Sequence, residues 1–285
     1  MQRILILGGG VGGTLTANLL VKKLRGRMER GEVEIIVVDV TGQHVYQPGF
    51  MYIAMGGERA ANLSRPERSL LDKRVTLMIG EVARVDEGTQ TITLTDGLSV
   101  GYDHLVLATG SRIVPEAIES FDTQAHHFYT AEAALDLRKA LDRFDGGRIV
   151  IGIAGMPYKC PPAPLEVAFL IEAELRQRGI RDRSRIDFCS PIGRAFTIES
   201  VSEMVTPILE QKAIALHTFF NVEAIDAARK VVVSLEGEEL PYDLLILVPP
   251  HKGQQFLIDS GLAPAPGGCD PYGLYYRITD AVSVK

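Results

Sequence analysis

Two short stretches carry residues whose types and spacing could do chemistry. The first is GGGVGG, Gly8 to Gly13, which places Gly8, Gly10 and Gly13 in a G-x-G-x-x-G spacing, with Val11 and Gly12 between. Glycines there allow a tight turn and a close backbone approach, so a pyrophosphate can rest on the following helix N-terminus. The second is GMPYKCPPAPLE, residues 155 to 166, with Lys159, Cys160, Glu166 and four prolines. Cys160 lies just ahead of an expected helix with Lys159 beside it. Helix-end charge and a neighbouring ammonium both favour thiolate over thiol. Glu166, in the first helical turn, could cap amides or carry protons to and from sulfur. The competing reading is an inert cysteine in a connection made rigid by Pro161, Pro162 and Pro164.

The elements around each stretch decide how these residues read. Arg3 to Leu7 is a short apolar strand, and Leu15, Leu19, Leu20 and Leu24 follow at helical spacing. VEIIVVDV, Val33 to Val40, is a second buried strand ending near Asp39, whose carboxylate could accept a ribose hydroxyl. Asp39 lies further along than the usual ~20 residues, and the charged stretch Arg25 to Glu32 explains the extra length. Strand, glycine turn, helix and acidic strand end together predict a dinucleotide-binding unit. TQTITLT, then Asp96-Gly97, predicts antiparallel strands, and HLVLATG returns as a buried strand. A helix is expected from the Thr130 N-cap, and Gly146-Gly147 closes it. Strand 148–154, helix 164–178, strand RIDFCSP and a helix near Glu203 to Ala213, entered or kinked at Pro207, predict a second βαβ unit. At the positions of the first unit's glycines the second carries Gly152, Ala154 and Pro157. Pro157 offers no amide hydrogen, so this loop is poorly built for NAD(P)H.

With 285 residues and 46% hydrophobic content the chain can bury a real core, and two domains are the natural prior. A net charge of −6 gives no basic footprint for nucleic acid. No apolar run reaches the ~20 residues that span a bilayer. The sequence opens directly on an apolar strand, without the pattern of a cleaved leader. Three scattered cysteines predict neither a disulfide framework nor a zinc site. A cytoplasmic protein is expected, with peripheral attachment to the cytoplasmic face of a membrane, and homo-oligomerisation, left open.

The strand pattern and the Ala108-Thr109-Gly110 turn resemble the two-dinucleotide-domain flavoproteins related to glutathione reductase. That resemblance implies an α/β fold of two Rossmann-like domains with three-layer ββα/βαβ architecture, and FAD on the first glycine turn. A narrower resemblance is carried by KCPPAPLE, by YQPGF (Tyr46 to Phe50), by YDLLILVPPHKG and by LHTFFNVEAID. These are similar to segments of the sulfide:quinone oxidoreductases and the flavocytochrome c sulfide dehydrogenase flavoprotein, over roughly residues 1 to 263. The resemblance implies that Cys160 attacks sulfide-derived sulfur and that electrons pass through FAD to quinone or cytochrome. It implies catalytic roles for Lys159 and Glu166, and places Gln47, Pro48, Val82, Ala108, Thr109 and Gly110 at the cofactor. The domains it implies are 1–115 for FAD, 116–250 for the Cys160 loop, and 251–285 as a return segment.

The match breaks near its end. The family's chemistry uses a second cysteine from the C-terminal third. Cys189 lies on an expected core strand and reads as structural, and Cys269 sits in a turn-rich stretch unlike the family. A divergent or truncated C-terminal segment is therefore expected, from which part of the flavin and quinone pocket should come. A type II NADH:quinone reductase or ferredoxin reductase relative, and a non-catalytic FAD-binding subunit, are the alternatives. His126-His127 reads as a surface pair. His44 reads as a structural loop histidine, with an approach to the flavin implied by the resemblance as the alternative, and His251 with Lys252 as charges favouring a reduced flavin. The basic run Leu175 to Arg185 reads as helix-dipole complement and solvated surface.

Overall fold

The computed structural model describes residues 1–262. The chain divides into two compact units: residues Met1–Tyr46, Asn62–Arg112 and the segment from Lys252 form unit 1, and Gln47–Ala61 with Ile113–His251 form unit 2. The insertion of 47–61 into the second unit is invisible in the sequence.

In unit 1 the strand β1 (Gln2–Leu7) runs parallel to β2 (Val33–Asp39) on one side and to His104–Leu107 on the other, with Thr76–Ile79 beyond β2. Both faces of this sheet are covered, which is why β1 and β2 read as continuous apolar runs rather than alternating ones. Ile4, Ile6, Ile35 and Val37 pack towards the helix α1 (Val11–Glu29), and Leu5, Leu7, Ile36 and Val38 pack towards Val85, Ile92, Leu94 and Val100. Those last four come from the antiparallel strands Val82–Asp86, Thr91–Leu94 and Ser99–Gly101. Asp96 Oδ1 accepts the Leu98 amide and Gly97 takes φ +89°, so Asp-Gly forms the expected turn. Phe256 and Leu262 pack against the same cluster, and the Ser260 hydroxyl accepts the Val85 amide at 2.9 Å.

Helical spacing alone puts Leu15 and Leu19 on the buried face of α1, and the structure does not. They are 56% and 46% exposed, and Ala17, Leu20, Val21, Leu24 and Met28 face the sheet instead. The sheet sets the helix rotation. Small residues at Gly13 and Ala17 let α1 approach closely, and that turns the Leu15–Leu19 row outward.

Unit 2 repeats the plan. Its parallel sheet orders Ala125–His126, Leu244–Val248, Gly147–Ile153, Ser184–Cys189 and Ile214–His217. An antiparallel meander, Val222–Asp226, Val231–Ser234 and Glu239–Pro241, accompanies it. Helix Ala131–Arg143 starts at Thr130, whose hydroxyl accepts the Ala133 amide at 3.1 Å. Helix Glu199–Gln211 begins earlier than expected and carries Pro207 in its interior. The meander side of the sheet is filled by Val150, Leu245, Leu247 and Cys189 against Phe121, Phe220 and Tyr242.

The basic run is not mere solvation. Arg178 donates to the carbonyls of Leu141 and Phe144, at 2.7 and 2.5 Å, and Arg181 donates to those of Ser184, Lys212 and Ala213. Arg176 and Lys212 pair with the buried carboxylate of Glu172. Arg178 and Arg181 thus close orphan carbonyls at element ends, while Arg176 and Lys212 compensate a buried charge.

A second buried acid, Asp187, holds the middle of its strand to its neighbours. Arg148 donates at 2.7 Å, Arg185 at 3.1 Å and His217 Nε2 at 2.8 Å. Burial alone would raise this carboxyl, but the hydrogen bonds from His217, Arg148 and Arg185 outweigh it and hold the group below the usual range. The hydrogen bond to Asp187, ahead of the opposing burial, raises His217, with Glu238 adding to the rise. A raised histidine stabilises the fold fully below its unfolded value of ~6.5, and that contribution fades as pH climbs through its higher folded value. Urea denaturation should therefore show stability falling as pH rises above about 6.5. Asp187→Ala should cost about 3 kcal/mol and flatten that decline.

Candidate functional site

Unit 1 brings most of its sequence-predicted residues to the carboxyl ends of its parallel strands, where open α/β sheets bind ligands. Three residues, 8–10, separate β1 from α1. Gly8 takes φ +102°, and a Cβ there would stand 2.4 Å from the Ala108 carbonyl oxygen. A Cβ on Gly13 would stand 1.8 Å from the Gly8 oxygen. These two glycines are demanded by packing. Gly10 and Gly12 differ: a Cβ on Gly10 would meet nothing within 4 Å, and one on Gly12 only Ala108 Cβ at 3.8 Å. The backbone at Gly10, Val11 and Gly12 thus faces open space. The first turn of α1 carries no acidic residue and its N-cap Gly10 supplies no side-chain acceptor, which leaves amide donors free for an anion. The residues fit a dinucleotide pyrophosphate.

Asp39 is more occupied than expected. Its Oδ2 accepts the Gly9 amide at 2.9 Å, and its Oδ1 accepts the Thr41 and Gly42 amides at 2.9 and 2.7 Å. It braces the glycine turn through these backbone amides. Gly8, Asp39, Val82 and Thr109 line one cleft of about 150 Å³ with Phe256 and Gln254, whose amide donates to the Thr109 carbonyl at 3.2 Å. Ala108 donates its amide to Leu7, and Gly110 takes φ +63° with open space beside it. Sequence reasoning missed Glu67 and Thr14 and gave His44 no part beneath the turn. Glu67 is fully buried beneath Gly9, bonded to Thr14 and to His44. No local pattern marks Glu67, because its partners lie 53 and 23 residues away.

Unit 2 places Gln47 and Pro48 in a short 3-10 turn, and Gln47 meets the cysteine loop: Lys159 Nζ donates to Gln47 Oε1 at 2.9 Å. Nine residues, 154–162, separate strand Gly147–Ile153 from helix Ala163–Gln177, three times the span of the turn in unit 1. In the strand register Gly8 lies opposite Asp39, because Leu7 pairs with Val38, whereas Gly152 pairs with Cys189. The next residues, Ser190 and Pro191, supply no acid either. The second unit therefore lacks both the glycine turn and the acidic strand end.

Cys160 is exposed, in the left-handed region at φ +57°, and its carbonyl accepts the Ala163 amide at 3.0 Å. Tyr129 donates its hydroxyl to the Lys159 carbonyl at 2.9 Å and packs edge-on against His251 at 5.0 Å between ring centres. The expectation of a favoured thiolate is corrected. Partial desolvation by the surrounding loop pushes the Cys160 thiol up, the Ala163 amide only partly offsets this, and the charge of Glu166 adds to the rise. The Lys159 ammonium is turned to Gln47, and burial lowers Lys159 itself. Glu166 thus acts on Cys160 by charge and makes no cap to the Pro162 end of its helix. Cys189 is buried and its thiol raised by that burial, a core residue. Cys269 lies outside the described residues.

His126 and His127 are half-buried rather than on the surface. Burial lowers both, His127 to about 4, and they line a cleft of about 510 Å³ with Phe121, Thr130 and Arg143. His251 is buried, its Nδ1–H donating to the Pro249 carbonyl at 2.8 Å; burial holds it at about 4, so it is neutral and adds no positive charge.

Residues 2–249 match the family model of the pyridine nucleotide-disulphide oxidoreductases. The mitochondrial sulfide:quinone oxidoreductase of Dictyostelium discoideum is 26% identical over 280 residues, 94% of this chain and 60% of the relative. The X-ray structure of the sulfide:quinone oxidoreductase of Aquifex aeolicus superposes with a TM-score of 0.80 at 24% identity, covering 92% of this chain and 61% of that one, a likeness of fold. Type II NADH:quinone oxidoreductase NdhA of Mycobacterium tuberculosis is 30% identical over 154 residues, 52% of this chain and 31% of the relative. The chain spans about 60% of the length of the sulfide:quinone oxidoreductases it matches.

Gly13→Ala should destabilise the protein by about 3 kcal/mol, because the new methyl meets backbone, and differential scanning calorimetry measures this. Iodoacetamide should alkylate Cys160 slowly at pH 7 and faster as pH rises. Glu166→Gln should shift that profile to lower pH by removing a raising charge, and Lys159→Met should leave it in place.

Proposed function

The chain belongs to the pyridine nucleotide-disulphide oxidoreductase family, and from that premise we propose that it is a FAD-dependent oxidoreductase that oxidises sulfide through Cys160 and passes the electrons to a quinone. One observation carries this reading. Where the second unit would bring a glycine turn to a nucleotide, it presents a nine-residue loop with an exposed thiol. FAD, the cofactor of this family, supplies a two-electron acceptor when bound at the Gly8–Gly13 turn.

The chain's own residues then have definite tasks. Gly10, Val11 and Gly12 receive the pyrophosphate on backbone amides, and Asp39 holds the turn while facing the ribose. Cys160 must lose its proton before it can attack, and its raised thiol means that this step needs a base. Glu166 is near enough to act on the sulfur by charge and is the group to take that proton. With a bound flavin as the two-electron oxidant, a bond would form between Cys160 Sγ and the sulfur of hydrosulfide, giving a cysteine persulfide and releasing that sulfur's proton. Lys159, cationic and held by a neutral amide rather than a carboxylate, attracts the anionic hydrosulfide.

Use of a nicotinamide donor is the second reading, favoured by the likeness to NdhA. The long proline-bearing loop and the missing acid of unit 2 weigh against it. A non-catalytic flavin-binding subunit is the third, favoured by the lack of a second exposed cysteine among the described residues. Anaerobic sulfide should bleach the flavin absorbance of the purified protein, and NADH should not. Cys160→Ser should lose at least a hundredfold in the rate of bleaching while keeping the flavin. Bleaching by NADH alone would establish the second reading, and bleaching by neither would establish the third.

A further inference from the structure

The glycine turn of unit 1 rests on a buried charge that none of the steps above uses. Glu67 is 0% exposed, in the short turn Glu67–Ser69. Its Oε1 accepts the Thr14 hydroxyl at 2.5 Å and its Oε2 accepts His44 Nδ1–H at 3.0 Å. The same two donors reach the Gly9 carbonyl, at 3.0 and 3.1 Å. A Cβ on Gly9 would come within 3.1 Å of Glu67 Cγ and 3.0 Å of Asp39 Oδ2, so the turn is in direct contact with both acids. The charged groups around the imidazole are Glu67 and, beyond Gly9, Asp39, with Arg65 opposite His44 on the paired short strand Ser64–Pro66.

A carboxylate buried under a turn that takes phosphates has the wrong sign. Burying it is costly unless it is hydrogen-bonded and paired, and its field is poorly screened there. Thr14 supplies a hydrogen bond, and His44 supplies both a hydrogen bond and a site for compensating positive charge. We propose that His44 and Glu67 form a charge-compensated floor beneath the pyrophosphate turn, in which an imidazolium at His44 cancels the repulsion that Glu67 would exert on an anionic dinucleotide. Both are positioning residues: His44, with Thr14, holds the Gly9 carbonyl below the turn, and Glu67 holds those two donors in place. The inference rests on the reading of Gly8–Gly13 as the pyrophosphate site.

Charge compensation and mere scaffolding differ in how the effect depends on ligand charge. The test is calorimetric titration of the full chain, freed of flavin, with ADP and with adenosine, at low and high salt. His44→Asn keeps a donor but cannot carry the charge. It should weaken ADP on the order of tenfold at low salt and leave adenosine unchanged, with the loss shrinking in high salt. The His44→Asn/Glu67→Gln pair should recover most of the loss, because the charge to be cancelled is gone. Equal losses for ADP and adenosine, or no recovery in the pair, would overturn the proposal and leave the network a scaffold. If the parent chain binds no ADP, the assignment of the turn itself fails and the proposal with it. Should His44→Asn not fold, Glu67→Gln alone decides: ADP binding as tight as the parent's or tighter supports compensation, and weaker binding overturns it.

Discussion

The 1.8 Å that would separate a Gly13 Cβ from the Gly8 carbonyl oxygen is the constraint on which unit 1 depends. Only a residue without a side chain lets α1 start so close to the end of β1. That closeness does several things together. It leaves three residues to turn the chain, faces the helix N-terminus into open space at Gly10 and Gly12, and draws Ala17 and Val21 onto the sheet. The open backbone at the helix start and the hydrophobic seal of the helix are therefore one packing solution. Asp39 from the strand end and Glu67 from below fasten it by their bonds about Gly9.

In unit 2 the constraint is relaxed. The plan of strands is the same, and even the register shift in the meander recurs, between Val82 and Arg84 in one unit and between Val222 and Ala224 in the other. Gly152 still lies against the neighbouring strand, with a notional Cβ 3.3 Å from Cys189 Cβ. The chain then leaves the sheet for nine residues, and the helix beyond it starts among prolines that lack amide hydrogens. No short glycine turn forms there, and the loop holds a cysteine whose left-handed backbone is fastened by Tyr129 through the carbonyl before it. The thiol is kept protonated by partial desolvation and by Glu166 rather than primed as thiolate. Its reactivity is thereby tied to a proton acceptor, and it gains no standing advantage from its neighbours.

Buried acids recur as fasteners. Asp187 and Glu172 each collect several cations, and Glu67 collects a hydroxyl and an imidazole. Each is costly if its partners are removed singly. Each also ties together segments far apart in sequence, which is why the arginine run 176–185 closes carbonyls of neighbouring elements where its composition alone suggests a solvated surface.

The sequence by itself determined the two dinucleotide-binding folds, because glycine spacing, apolar strands and the Asp-Gly turn act over short distances where backbone sterics leave few choices. It also identified Gly8, Gly10, Gly13, Asp39 and Cys160 as the residues to watch, since glycine spacing, an acidic strand end and a thiol ahead of a helix are local patterns. Only the tertiary structure decided which face of α1 is buried, that segment 47–61 belongs with unit 2, and that Gln47 takes the ammonium of Lys159. Only it could bring Glu67 beneath Gly9, or set partial desolvation against helix-end charge at the Cys160 sulfur. These outcomes depend on distance, desolvation and partners dozens of residues away, and a linear pattern encodes none of the three.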